Sequence, residues 1–114
     1  MKPLSPGTRV GAWRVKALAG HGVHGAVYRA ERGGLRRSQP GALKVSLSRW
    51  NWRMEREVEL LSRLSHPSIP RLLDRGGVHS PTGEELPFFV IAGHAALAQE
   101  GRSQTSDITR VFMA

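Results

Sequence analysis

The sequence predicts an α+β fold, a small antiparallel sheet with one main helix, and three observations carry that expectation. An alternating run and a β-leaning run flank a glycine-rich segment, a third short strand-like run follows, and one later stretch repeats its apolar residues at helical spacing. Ala12 to Ala19 places Trp13, Val15 and Ala17 on one face and Arg14 and Lys16 on the other, as in a half-buried strand. Gly20 to Gly25 then reads as a loop and Ala26 to Glu31 as the returning strand of a hairpin. Gly33 to Gly41 has the composition of a turn and loop, and Pro40 would be out of place in a central strand. Ala42 to Leu47 is the third strand, on which Ala42 and Lys44 point to the same side. From Trp52 to Ser65, the residues Met54, Val58, Leu61 and Leu64 mark the buried side of a helix that His66-Pro67 brings to an end.

Composition narrows the class. The 114 residues hold one domain, and the absence of cysteine removes disulfides and thiolate metal sites, which suits a reducing cytoplasm. No apolar run reaches the roughly 18 residues of a membrane span, and the first residues lack the apolar middle of a secretory signal, so neither a membrane nor export is expected. The net charge of +8 raises the question of nucleic acid. The arginines are scattered from Arg9 to Arg110, however, with no aromatic residues interleaved for base stacking, and this disfavours it.

Gly20, Gly22 and Gly25 have the spacing G-x-G-x-x-G, which lets backbone N–H groups approach phosphate oxygens without side chains in the way. With 13 glycines in the chain such a triplet arises easily by chance, so its context decides. A dinucleotide-binding crossover needs a helix after the triplet and an acid about 20 residues on. Ala26-Val27-Tyr28-Arg29-Ala30 is β-leaning instead, and Pro40 to Ser46 contains no Asp or Glu. A strand lysine following the hairpin is the other pattern, and Ala42-Leu43-Lys44-Val45 supplies it.

At these residues the chain resembles the N-terminal lobe of a eukaryotic-like (bacterial) serine/threonine protein kinase. Gly20, Gly22, Gly25 and Val27 fit the family's G-x-G-x-x-G-x-V, Ala42-Leu43-Lys44 fits its Ala-x-Lys, and Glu57 with His66-Pro67-Ser68-Ile69 extends the match over about residues 8 to 91. The resemblance implies a five-stranded antiparallel sheet, with a fourth strand at Arg71 to Arg75, a loop at Gly76 to Glu85 and a fifth strand at Leu86 to Ile91. It implies ATP as cofactor, with magnesium held only through ATP. Ala42 would pack on the adenine, Ala19 stands where an aliphatic residue covers it, Lys44 and the backbone of Gly20, Gly22 and Gly25 would take the phosphates, and Val27 completes the cofactor-binding set.

Glu57 has an independent argument. It lies on the apolar side of the helix, three residues after Met54 and four before Leu61, where a carboxylate is costly unless a cation answers it. The resemblance names Lys44 as that cation, so a Lys44–Glu57 ion pair is expected, whereas Glu59 and Arg63 read as an ordinary surface pair. His21 and His24 have an H-x-x-H spacing without a third ligand, and no metal site is assigned.

Three segments follow: an irregular lead-in at 1–11, the kinase-like region at 12–91, and a tail at 92–114, disordered or partly helical, that matches nothing in a kinase. Ala92-Gly93-His94-Ala95-Ala96 departs from the family's hinge, and no H-R-D or D-F-G follows, so the tail reads as a truncated or frame-shifted product. The expected function is a catalytically incomplete ATP-binding lobe with weak nucleotide affinity. Its Phe88-Phe89-Val90-Ile91 edge would be exposed to a protein partner or to self-association. A non-catalytic interaction module on the same scaffold is the alternative, ahead of a basic nucleic-acid binder.

Overall fold

The glycine-rich hairpin is the centre of a larger sheet than the sequence suggests. In the computed structural model, residues 3–23, 25–33, 37–49, 51–67, 69–80 and 82–92 are described. Their elements are β1 (Arg9–Val10), β2 (Trp13–His21), β3 (Gly25–Gly33), β4 (Ser38–Ser46), α1 (Trp52–Arg63), β5 (Leu72–His79) and β6 (Glu85–Ile91). The strands form one antiparallel sheet in the order β1-β2-β3-β4-β6-β5. Of the expected tail at 92–114, only Ala92 is described, its N–H donating to Arg71 O at 2.8 Å; 93–114 lie outside the described residues. No helix among those described is long and apolar enough to cross a membrane.

The five-stranded α+β kinase lobe implied by the resemblance is therefore corrected. Among the described residues the fold is mostly β, with six antiparallel strands in a nearly closed sheet and a single helix of 12 residues. Backbone contacts within the supposed lead-in supply the extra strand. Gly7 N–H donates to Val15 O at 2.7 Å, and Val15 N–H donates to Thr8 O at 2.9 Å, which lays this segment along β2 and carries it into β1.

Other boundaries move for identifiable reasons. Pro40 lies inside β4, paired with Glu31, but β6 pairs with β4 only from Ala42 to Val45. Pro40 thus occupies a stretch with a ladder partner on one side only, where proline is tolerated. Gly76 and Gly77, expected in a loop, continue β5 opposite Phe88 and Pro87. A Cβ on Gly76 would come within 3.0 Å of the Phe88 ring, so the glycine makes room for an aromatic side chain across the ladder.

Both faces of the sheet are buried. Val10, Trp13, Val15, Ala26, Tyr28, Leu43, Val45, Leu86, Phe88 and Val90 form an inner core, and Val27, Ala42, Phe89 and Ile91 join Met54, Val58 and Leu61 of α1 in an outer one. The Phe88 to Ile91 run is not an exposed edge, because β6 lies between β4 and β5 with Phe88 and Val90 facing in and Phe89 and Ile91 facing out. An uninterrupted apolar run is what a strand covered on both faces requires.

Curling of the sheet closes one end. Trp13 Nε1 donates to Asp74 Oδ2 at 2.9 Å, although three strands lie between β2 and β5. The Arg32 guanidinium lies 4.7 Å from the Trp13 ring centre, 3.8 Å from Asp74, and donates to Gln39 Oε1 at 2.6 Å. Trp13→Ala is expected to cost about 3–5 kcal/mol of unfolding free energy by removing the ring that fills this end. Trp13→Phe, which keeps a ring but loses the indole donor, should cost about 1 kcal/mol, both being read by urea denaturation.

Candidate functional site

Lys44 lies in the middle of β4, with Val27 of β3 beside it on one flank and Phe89 of β6 on the other. All three face the outer side, under α1, and Lys44 is only 4% exposed. A cation there needs a local anion. Glu57 provides it, with both carboxylate oxygens 3.1 Å from Lys44 Nζ. The Phe89 ring centre lies 5.9 Å from the ammonium, a weaker second attraction.

What brings the helix to this place is a polar knot at the end of β4. Ser46, fully buried, donates Oγ–H to Ser48 O at 2.7 Å and accepts from Asn51 Nδ2 at 2.9 Å. Asn51 is also the N-cap of α1, its Oδ1 accepting from Met54 N–H at 3.1 Å. One asparagine thereby starts the helix and ties its first turn to the strand that carries Lys44. Sequence reasoning overlooked Ser46 and Asn51. An asparagine just before an apolar helical repeat is the N-cap signal that could have found the second.

The remaining predicted site residues gather at the same corner. Ala19 packs against the outer core with Val27 and Ala42, and Gly20 pairs with Val27. Gly20 and Gly25 belong to strands, so the expected loop is a tight hairpin in which Gly22 N–H donates to Gly25 O at 2.9 Å. Gly25 stands opposite Ser46, and a Cβ on it would collide with the Val45 carbonyl oxygen, so glycine allows β3 to approach β4 beside Lys44. His24, expected at the loop tip, lies outside the described residues.

Burial sets the electrostatics. It pushes the Lys44 ammonium below the ordinary lysine value, opposed by the charge and hydrogen bonds of Glu57. It pushes the Glu57 carboxyl upward, opposed by Lys44 and then by Arg53. Glu57 retains 24% side-chain exposure, so Lys44 is the partner that depends more on the pair.

Against known proteins, no family model matches the chain. Over 79 residues it is 42% identical to the DNA damage-responsive serine/threonine-protein kinase RqkA of Deinococcus radiodurans. This region is kinase-related. The match takes in 65% of the chain, which spans 12% of that relative's length.

Removing Glu57 while keeping Lys44 leaves a buried ammonium without its carboxylate. Glu57→Ala is expected to cost about 3–5 kcal/mol near neutral pH, and Lys44→Met less, because the remaining Glu57 can turn toward water. With its folded pKa below its unfolded one, Lys44 binds fewer protons in the folded state between the two values, and stability rises with pH there. The Glu57→Ala deficit should therefore shrink as pH rises toward the ordinary lysine value of 10.5 in chemical denaturation, and Lys44→Met should lack this gain.

Proposed function

We propose that this chain supplies the ATP-binding part of a serine/threonine protein kinase, working in the cytoplasm. Lys44 meets the α- and β-phosphates in this reading, and Glu57 positions it. The observation that carries the proposal is the buried, two-oxygen Lys44–Glu57 pair, set between Val27 and Phe89 in a region that is kinase-related.

Phosphoryl transfer is achieved by positioning and by stabilising charge spread over oxygen atoms. A lysine held by two carboxylate contacts has little freedom to swing, so its charge is set in place before a nucleotide arrives. In this reading an adenine ring packs at the corner where Ala19 meets the buried Val27 and Ala42, and Gly20, Gly22 and Gly25 allow backbone near the phosphates. Magnesium would enter only with ATP. The pair grips and orients, and a proton acceptor for the substrate hydroxyl is not among these residues.

The test is thermal unfolding with and without magnesium-ATP, since a ligand that binds only the folded state raises the midpoint. At a concentration tenfold above Kd the stabilisation is about 1.4 kcal/mol. Lys44→Met should abolish the shift. An unmoved midpoint in the unaltered chain at saturating nucleotide would overturn the reading.

A further inference from the structure

We propose that the open end of the curled sheet is a second binding site, for a neutral small molecule with an apolar body and a carbonyl-type hydrogen-bond acceptor. It does not depend on the nucleotide reading, because it lies in the inner face while Lys44 belongs to the outer one.

The two ends of the sheet differ. One is filled by Trp13 and capped by Arg32, Gln39 and Asp74. The other opens into a cavity of about 610 Å³ walled by Ala26 and Tyr28 of β3, Val45 of β4, Val78 of β5 and Leu86 of β6. The lead-in crosses as a further wall, with Leu4 packed on the inner core. This volume falls within the range of small-molecule sites, and a curled sheet with one closed end is suited to hold one.

Tyr28 indicates what the ligand offers. Its hydroxyl accepts from Leu4 N–H at 2.9 Å, and the residue is 2% exposed. Among the described residues the hydroxyl's own hydrogen makes no hydrogen bond, which leaves it available to a group that enters the cavity. A ligand carbonyl in the cavity would accept that hydrogen. The strongly polar side chains of the lining, His79 and Glu84, belong to the β5 end and the turn after it, not to the apolar walls. A charge placed among those walls would be desolvated without a partner, so a neutral ligand is selected. At the turn, the Ser80 and Thr82 hydroxyls lie 2.9 Å apart and give the mouth a polar edge.

The probe is the neutral naphthalene ketone prodan, whose emission responds to polarity and to hydrogen bonding at its carbonyl. Titrated with the full chain, it is expected to bind saturably with blue-shifted emission. Tyr28→Phe should weaken binding about fivefold, the loss of one hydrogen bond, and move the bound emission further to the blue. Ala26→Phe, which fills the cavity, should remove binding; if that variant does not fold, Val78→Phe on the facing wall serves the same purpose. Trp52→Ala/Leu60→Ala, which strips exposed apolar surface from α1, should bind as the unaltered chain does. The proposal is overturned by absence of saturable binding, by unchanged affinity in the folded cavity-filling variant, by an unmoved emission in Tyr28→Phe, or by loss of binding in the α1 variant.

Discussion

A sheet that is apolar on both faces must hide both, and the architecture of this chain follows from that constraint. The inner face is hidden by curling until Trp13 of β2 meets Asp74 of β5. The outer face cannot be hidden by the same bend and is covered by α1 through Met54, Val58 and Leu61. β4 and β6 serve both cores, so their alternate side chains are committed to opposite sides. Lys44 is fixed by this arrangement: between Leu43 and Val45, which face in, it must face out, beneath the helix.

That placement makes the ion pair costly and specific together. Two desolvated charges gain from each other while losing water, and the upward push on Glu57 with the downward push on Lys44 shows that burial opposes both charges. An apolar pair would fill the space without that cost. A lysine held from two oxygens keeps its ammonium in one place beneath the helix. The Ser46–Asn51 contact performs the mechanical part, because it joins the end of the lysine's strand to the first turn of the glutamate's helix.

Much of this corner was legible in the sequence, and for local reasons. Glu57 could be read as paired because a carboxylate amid Met54, Val58 and Leu61 needs a cation. Helix position and length came within two residues, since the apolar repeat and Pro67 bound it. The Glu59–Arg63 surface pair, at 2.8 Å, is equally local. The misses have a common origin. Gly76-Gly77 and Pro40 carry loop signals, and each is admitted to a strand by a neighbour distant in sequence: room left for Phe88 in one case, a missing ladder partner in the other. The lead-in reads as irregular because its order comes from Val15 and not from its own side chains. The Phe88 to Ile91 run reads as an edge because apolarity alone does not tell which strand lies next to it.

By itself, then, the sequence determined the hairpin about Gly22, the helix from Trp52, and the requirement that Glu57 find a cation, all set by periodicity, caps and charge within a few residues. Tertiary structure decided the number of strands, the closure at Trp13, the inward and outward split of β6, and the cavity beside Tyr28. Those depend on how far the sheet curls, and curl is a property of all six strands acting together, to which no single stretch of sequence holds the key.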